Sequence, residues 1–424
     1  MAGRVVFVST YPPRRCGLAE FTHDLRSAMS EVAAEWRTAV CAVDRDGLAY
    51  GSAVQITVRQ DVREDYARAA REIARRRAAI VVIEHEFGIF GGPAGSYVLD
   101  LAYGLQSVGV PYLVTLHTVR PRAPRLHLEV TTALCRNATL VTVFTHEARR
   151  LVAELGIADV SRTVVVPHGA PTVLRDRPEP PDGGALSEAL AALSGARIIT
   201  SFGLIKPAKG LERVIQALPE ITRRHPDVHY VIAGATHPEV VRHSGEEYRQ
   251  QLRQLTADLG VADNVRFVNQ FLSEAELGWL LSRAELCVTP YLAEEQVSSG
   301  VLTFALAAGC PVVSTDYSYA RQLLLPVAGV APGVIVPRRD SRALSSVITE
   351  LLGDPVQLAA SRKVARQVGS VLLWPQVVRQ FADVLALARG AAQPQRPGHR
   401  GERAQRERAH RAGAPPAQGN RVEA

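Results

Sequence analysis

The sequence lacks the features of several common protein classes. Its five cysteines are widely spaced and include no C-x-x-C pair, so we expect neither a disulfide framework nor a zinc ribbon. No segment approaches the ~18 consecutive apolar residues that a membrane-spanning helix needs, and the apolar run Val5–Val8 is too short for a signal peptide. These absences favour a reduced, cytoplasmic protein, and any contact with a membrane would be peripheral.

Motifs for nucleotide cofactors and nucleic acids are missing as well. No G-x-G-x-x-G follows the first apolar run, which weakens assignment as a nicotinamide or flavin oxidoreductase. No nucleic-acid recognition motif is present, and aromatic residues do not interleave with the arginines. The triplet Asp44-Arg45-Asp46 has the form of a metal-binding D-x-D, but such triplets are common by chance. We therefore expect no cofactor, no metal and no nucleic-acid partner.

Much of the net charge lies in one segment. The 424 residues carry a formal net charge of +7, which raises the question of an anionic partner. Four of these charges belong to residues 391–424, a stretch without Leu, Ile or Phe, which is predicted to be a disordered tail. The remainder of the chain is therefore only mildly basic.

The order of apolar segments predicts two α/β domains. Short runs rich in β-branched residues, typical of buried strands, alternate with segments whose apolar residues recur three and four apart. Such alternation indicates parallel strands joined by crossover helices. The predicted strands are Val5–Val8, Ile80–Ile83, Tyr112–Leu116, Leu140–Phe144, Val164–Val166, Arg197–Ser201, His229–Ala233, Val265–Val268, Leu286–Thr289, Pro311–Ser314 and Val334–Val336.

A segment dense in proline, glycine and charge separates the two halves and is predicted to be a linker. Because parallel sheets bind ligands at the carboxyl ends of their strands, we expect a ligand in the cleft between the domains. The predicted divisions are an N-terminal domain over 1–172, a linker over 173–196, a C-terminal domain over 197–370, a helix over 371–390 that returns to the N-terminal domain, and the tail.

Three loops between strands and helices carry candidate binding residues. Gly17 lies where a loop opens onto a helix, so backbone amides could approach an anion or a sugar hydroxyl closely. Lys209 is predicted in the first turn of a helix, where a cation is favourable only with a bound anion. Ser299 and Gly300 would begin a further helix suited to a diphosphate. Each pattern also has a purely structural interpretation: a tight turn, a surface lysine and a helix cap.

Taken in order, the motifs resemble those of the retaining nucleotide-sugar glycosyltransferases of the GT-B fold, group 1 or family 4. They extend to about Arg389 and are Y-P-P-x-x-x-G, V-T-L-H-T, V-V-P-H-G, G-x-x-x-P-x-K-G, A-G-C-P-V-V-S-T and the late Trp374. The resemblance implies two doubly wound, Rossmann-like domains that face a central cleft. It also implies transfer of a sugar from a nucleotide diphosphate, such as a UDP- or GDP-sugar, to a hydroxyl acceptor.

The resemblance assigns roles to individual residues. Lys209 would neutralise the donor diphosphate, helped by the loop amides at Ser299–Val301, and Gly17 would lie opposite the phosphates. His117, at the end of a predicted strand, would lie beside the transferred sugar; without the family context it would be interpreted as a core histidine. The catalytic assignments are thus His117 and Lys209, and the donor-binding residues are Gly17, Lys206, Glu295, Gln296, Ser299, Gly300 and Val301.

The chain departs from the family pattern at three positions. Gln296 and Phe304 stand where the family usually has two glutamates, and Leu204 replaces a frequent arginine. Because Phe304 cannot accept a hydrogen bond from the nucleotide ribose, we expect Gln296, Glu295 or Lys206 to take over such contacts.

Two further features concern the acceptor and the membrane. His85 and Glu86 end a predicted strand and precede glycines, a pattern that suits an acceptor-binding loop. Neighbouring strand residues alternate between faces, which argues against a metal site there. A basic helix could rest on an anionic membrane or be a solvated face; its arginines are Arg63, Arg68, Arg71, Arg75, Arg76 and Arg77.

The sequence thus predicts a hexosyltransferase-type glycosyltransferase of carbohydrate biosynthesis that retains the anomeric configuration. We expect it in the cytoplasm or against the inner face of the plasma membrane. The departures at Leu204 and Phe304 leave open a non-catalytic relative that binds a nucleotide sugar or a glycan. A sugar phosphorylase or epimerase of the same fold is a third alternative. Donor hydrolysis would separate the transferase from the binding protein.

Overall fold

The structure contains two parallel β-sheets, one in each half of the chain. The computed structural model describes residues 3–176, 179, 182–294 and 297–392. The first sheet has seven parallel strands in the order β3-β2-β1-β4-β5-β6-β7. Its strands are β1 (Gly3–Ser9), β2 (Trp36–Asp44), β3 (Val54–Arg59), β4 (Ile80–His85), β5 (Tyr112–Leu116), β6 (Val141–Val143) and β7 (Thr163–Val165).

The second sheet has six parallel strands in the order β10-β9-β8-β11-β12-β13. The strand order reverses between β1 and β4 in the first sheet and between β8 and β11 in the second. Such a reversal creates a crevice at the carboxyl ends of the strands. The predicted α/β class with two Rossmann-like domains is confirmed. The strands of this sheet are β8 (Arg197–Phe202), β9 (Val228–Ala233), β10 (Val265–Val268), β11 (Ala284–Thr289), β12 (Val312–Thr315) and β13 (Gly333–Val336).

Helices connect the strands and cover both faces of each sheet. The helices are α1 (Gly17–Val32), α2 (Arg63–Arg75), α3 (Val98–Ser107), α4 (Arg125–Arg136), α5 (His146–Glu154), α6 (Ala185–Ala191), α7 (Leu211–Arg224), α8 (Pro238–Ser244), α9 (Glu247–Asp258), α10 (Glu274–Arg283), α11 (Gly300–Ala308), α12 (Ser318–Leu323), α13 (Ser341–Gly353), α14 (Pro355–Val371) and α15 (Trp374–Ala392). In the described part of the chain, no helix is both long enough and apolar enough to cross a bilayer.

Three elements differ from the sequence prediction. Strands β2 and β3 were not predicted, because Arg37 and Thr38 follow Trp36 at the start of β2 and β3 is an edge strand whose exposed and buried residues alternate. Helix α6 lies within the predicted linker and is held there by Leu186 and Leu190, both buried in the core. The predicted tail, apart from the last two residues of α15, lies outside the described residues.

The C-terminal segment packs on the N-terminal domain. The Ala170 amide donates to the Leu372 carbonyl at 2.8 Å, and the Trp374 amide donates to the Ala170 carbonyl at 2.9 Å. Further along α15, the Phe381 ring stacks on Phe7 of β1 with 6.4 Å between ring centroids. Helix α15 therefore ties the end of the C-terminal domain to the first sheet.

Candidate functional site

The start of helix α11 lies where the two domains meet. Ser299 caps the helix by accepting a hydrogen bond from the Leu302 amide at 3.2 Å, and only 5% of Ser299 is exposed. The amides of Gly300 and Val301 belong to the first turn, where backbone N–H groups have no acceptor within the helix. Together with the helix dipole, these amides form a position suited to an anion such as a diphosphate.

Lys209 lies just before a helix, not inside its first turn. The sequence predicted Lys209 in that first turn, but the residue belongs to a 3₁₀ turn over Pro207–Lys209 and α7 begins only at Leu211. Gly210 separates the turn from the helix with a φ of +64°, a left-handed conformation that favours glycine. A Cβ atom there would also lie 2.3 Å from the Pro290 carbonyl oxygen. Gly210 therefore fixes the direction in which the lysine loop enters α7.

The ammonium group of Lys209 lies beside the start of α11. Its Nζ donates a hydrogen bond to the Phe202 carbonyl at 2.9 Å and lies 5.4 Å from the centre of the Tyr291 ring. A Cβ atom built on Gly203 would be 3.1 Å from that Nζ and 3.4 Å from the Val301 side chain. The lysine and the first turn of α11 can therefore contact the same ligand.

Lys209 holds its charge in a partly buried position. Burial, together with the positive charge of the nearby Lys206, lowers the pKa of Lys209 to about 7. In the described part of the chain, no carboxylate forms an ion pair with Lys209. Lys206 itself is exposed on the same loop. A bound anion would supply the counter-charge and favour the charged form of Lys209.

His117 reaches the same place from the N-terminal domain. It follows β5, and its carbonyl accepts a hydrogen bond from Ser298 Oγ of the other domain at 3.3 Å. Its Nε2 lies 2.8 Å from Oε2 of Glu84, a residue of β4 that is 0% exposed. Of the His117 side chain, 11% is exposed. His117 is thus an accessible histidine paired with a buried carboxyl group, not an isolated core residue.

A second histidine, His168, packs against the start of α11. A Cβ atom on Gly300 would lie 3.5 Å from both Cε1 and Nε2 of His168. The His168 Nδ1 lies 2.7 Å from the Gly169 carbonyl oxygen, which can only accept a hydrogen bond, so Nδ1 is the donor. Burial lowers the pKa of His168 to about 4, so the ring is neutral near pH 7 and its Nε2 is an acceptor.

Gly17 begins α1 on the other side of these histidines. One turn after Gly17, the Phe21 ring packs edge-on against His117 and His168, with centroid distances of 4.8 and 5.0 Å. A Cβ atom on Gly17 would meet no atom within 4 Å. The start of α1 is therefore near His117 and leaves room for a ligand to approach its backbone.

The predicted acceptor residues differ in their placement. Glu86 is partly exposed, and its carboxylate accepts hydrogen bonds from the Thr118 hydroxyl and the Phe87 amide. His85 is 0% exposed, and burial lowers its pKa to about 3. Because successive strand residues point to opposite faces, Glu84 and Glu86 share the face of His117 whereas His85 points away. The acceptor role predicted for His85 does not fit this burial.

The structure describes only some of the remaining residues on the donor side. Glu295 and Gln296 lie outside the described residues. Phe304, in place of the family glutamate, has its ring centroid 6.0 Å from that of His168. It therefore contributes to an apolar wall beside the start of α11.

Two residues of the site were not identified from the sequence. In the sequence, Glu84 is a charged residue at the end of an apolar run, and His168 is part of the V-V-P-H-G motif. Their roles depend on which strands and helices are adjacent, and the sequence does not specify this.

The D-x-D-like triplet joins the two domains. Asp44 accepts a hydrogen bond from the Asp46 amide and so fixes the turn. Arg45 pairs with Glu239 at 2.9 Å, and Asp46 pairs with Arg242 at 2.6 Å, both on α8 of the C-terminal domain. Among the described residues, no group of His, Cys, Asp and Glu is arranged to hold a metal ion. The triplet thus has a structural explanation.

Most arginines near α2 are paired with carboxylates, which lowers the net positive charge of this face. The pairs are Arg63–Asp100, Arg68–Asp65, Arg75–Glu72 and Arg76–Glu72. Contact of this helix with a membrane stays a prediction.

Curated relatives match about half of the chain. A family model for glycosyl transferases group 1 matches residues 185–368. A GDP-mannose-dependent alpha-(1-6)-phosphatidylinositol monomannoside mannosyltransferase of Mycolicibacterium smegmatis is 29% identical over 234 residues, 53% of this chain and 57% of that protein. A D-inositol 3-phosphate glycosyltransferase of Geodermatophilus obscurus is 31% identical over 246 residues, 56% of this chain and 50% of that protein. The chain therefore spans only about half the length of these relatives.

Solved structures share the fold over nearly the whole chain. Anabaena HepE in complex with UDP has a TM-score of 0.70 at 17% identity, covering 90% of this chain and 99% of that one. Sucrose-phosphate synthase from Thermosynechococcus elongatus has a TM-score of 0.70 at 18% identity, covering 92% of this chain and 100% of that one. At these identities the likeness concerns the fold alone. The chain therefore has the GT-B fold, and its residues 185–368 match the model of the group 1 glycosyl transferases.

Proposed function

We propose that this protein transfers a sugar from a nucleotide diphosphate donor, a UDP-, GDP- or similar sugar, to a hydroxyl acceptor. The observation that carries the proposal is the meeting of Lys209 with the first turn of α11. A partly buried amine with a lowered pKa lies there beside helix amides that have no acceptor within the helix. A diphosphate would satisfy both groups at once.

The same groups can stabilise the departing diphosphate. As the bond between sugar and phosphate breaks, negative charge grows on the leaving group and positive charge on the anomeric carbon. Lys209 and the α11 amides are held in place before the reaction, so their interaction with the leaving group strengthens in the transition state.

Transfer with retention belongs to the proposal because the sequence motifs resemble those of retaining glycosyltransferases. Glu84 is buried behind the His117 imidazole, so it cannot attack the sugar as a nucleophile. Retention through a covalent intermediate on Glu84 is therefore not part of the proposal, and single displacement from the opposite face would invert the anomeric carbon. We propose instead that the acceptor hydroxyl attacks from the face that the diphosphate leaves. The bond to the acceptor then forms on the side where the donor bond broke, and the anomeric configuration is kept.

The names of the relatives support a nucleotide-sugar donor and an acceptor at a membrane surface. One relative is GDP-mannose-dependent and acts on a phosphatidylinositol mannoside, and one structural neighbour is complexed with UDP. We place the protein in the cytoplasm, with α2 turned toward the anionic inner face of the plasma membrane. Arg71 and Arg77 form no ion pair within the described chain and would make that contact.

Replacing Lys209 tests the proposal directly. We expect Lys209→Ala to lower turnover by about 100-fold or more. Removing one preorganised group that stabilises charge in the transition state typically slows an enzyme by that factor. Turnover is measured as nucleotide release from the matching nucleotide sugar. Lys363→Ala, at an exposed position of α14, is the matched control and should keep wild-type turnover. Wild-type turnover in Lys209→Ala would refute the assignment.

Nucleotide binding gives an independent check. Thermal-shift measurements with UDP, GDP, ADP and dTDP should show stabilisation by one of them, by about 2.7 kcal/mol at a hundredfold excess over Kd. Binding with neither donor hydrolysis nor transfer would indicate a non-catalytic relative. The absence of any shift would count against a nucleotide donor.

A further inference from the structure

Glu84 is a buried acid beside the cleft that has no role of its own in the proposed function. Its Oε2 lies 2.8 Å from Nε2 of His117. Its Oε1 is buried and has no hydrogen-bond partner among the described residues. Burying a carboxyl group costs free energy unless its partners offset the loss of water. Most buried polar atoms in folded proteins have a hydrogen-bond partner, so the unpartnered oxygen of Glu84 calls for an explanation.

The sheet and two aromatic rings set the geometry of the pair. Strands β4 and β5 are adjacent, Glu84 lies opposite Thr115 in the register, and His117 follows two residues later. The rings of Phe21 and Phe144 pack edge-on against the imidazole, with centroid distances of 4.8 and 4.9 Å. These contacts restrict rotation of the His117 ring, so its Nε2 stays directed at Glu84.

We infer that Glu84 is a positioning residue that fixes the hydrogen-bonding state of His117. A carboxylate can only accept hydrogen bonds, so the His117 Nε2 carries the proton and donates it to Glu84. The other ring nitrogen, Nδ1, is then an acceptor for a hydroxyl group of the bound sugar. This role rests on the proposed function, because it requires a sugar beside His117.

The tautomer of His117 can be measured without any activity assay. In the full chain labelled with ¹⁵N-histidine, the His117 signals are assigned as those missing from the His117→Asn variant. We expect the wild-type signals of a ring protonated at Nε2, and a change of these signals in Glu84→Gln, whose amide can also donate a hydrogen bond. A ring protonated at Nδ1 in the wild type, or an unchanged His117 spectrum in Glu84→Gln, would overturn the inference.

Kinetics separate positioning from a merely structural role. We expect Glu84→Gln to lower kcat by about 100-fold, which is the typical effect of losing a correctly oriented hydrogen-bonding group. The KM for the donor should change by less than about threefold. The matched control is Asp65→Asn, another buried carboxyl group of this domain that pairs with Arg59 away from the cleft. It should lower the melting temperature and leave kcat unchanged.

The outcomes distinguish this inference from the proposed function. If kcat in Glu84→Gln equals that of the wild type, Glu84 has no positioning role, even if Lys209→Ala is inactive. If the wild type transfers no sugar from any donor, the proposed function fails, and the wild-type ¹⁵N spectrum still decides whether Glu84 fixes the tautomer of His117. If Glu84→Gln does not fold, that same wild-type spectrum is decisive.

Discussion

Lys209 is partly buried, and its pKa is lowered to about 7 by burial and by the charge of Lys206. An ordinary lysine has a pKa of about 10.4 and is fully charged at neutral pH. A bound diphosphate favours the charged form and raises the pKa of Lys209 again. Under the proposed function, binding of a nucleotide diphosphate at neutral or alkaline pH would therefore be coupled to uptake of a proton by this residue.

This coupling predicts the pH dependence of nucleotide affinity. Above pH 7 the phosphates are already ionised, whereas free Lys209 loses its proton, so affinity for UDP or GDP should fall by up to about tenfold per pH unit. Titration calorimetry in two buffers of different ionisation enthalpy would show the proton uptake. Lys209→Arg keeps its charge throughout and should bind with little change between pH 7 and 9. An equally steep fall in that variant would assign the effect to another group.

Sequence reasoning located some of these residues but not their partners. Lys209 and Gly300 could be proposed because each lies at a strand–helix junction, which a single sequence shows. The pairing of Glu84 with His117 joins residues 33 positions apart, and it depends on β4 lying next to β5. The choice between Glu84 and His85 depends on which strand face borders the cleft, which alternation alone does not determine.

At the scale of elements, the packing of α15 on the N-terminal domain depends on the close contact between Gly169 and Trp374. A Cβ atom there would lie 2.1 Å from the Trp374 ring. We expect Gly169→Ala to destabilise the protein by about 1–3 kcal/mol, since overpacking forces neighbouring side chains from their positions. Denaturant unfolding measures this change.

A glycine with open surroundings provides the matched control. Gly353, at the end of α13, has no atom within 4 Å of where its Cβ would lie. Gly353→Ala should change stability by no more than about 0.5 kcal/mol. Equal stability of the two alanine variants would show that Trp374 can move away without cost.

The strands and helices that are most deeply buried were the easiest to predict from the sequence. Every residue of β4 and β5 is buried, and such central parallel strands appear as continuous apolar runs. The edge strand β3 is half exposed, so its alternating residues gave no such run. Helix α6 is short, and its two buried leucines lie in a segment whose prolines and glycines indicated a linker.

At the scale of the whole molecule, the two domains are joined by ion pairs on one side of the cleft. Asp46→Arg would place a positive charge against Arg242 of α8. Repulsion between exposed charges is worth roughly 0.5–1 kcal/mol. If closure brings His117 and Lys209 to one ligand, kcat/KM for the donor should fall by about two- to fivefold.

The conservative variant Asp46→Glu keeps the charge and should behave as the wild type. Small-angle scattering would show whether Asp46→Arg increases the radius of gyration. A lower kcat/KM without expansion would indicate a local effect on the donor, and no change in either quantity would show that these pairs do not hold the domains together.

The burial of Lys209 also changes the chemical reactivity of its side chain. An amine with a pKa of about 7 is about half unprotonated at neutral pH, and the unprotonated amine is the nucleophile. The whole sequence contains only three lysines, Lys206, Lys209 and Lys363. An amine-selective acylating reagent used near pH 7 should therefore modify Lys209 ahead of the other two. A bound nucleotide would shield it, so covalent labelling at a single residue reports whether the cleft is occupied.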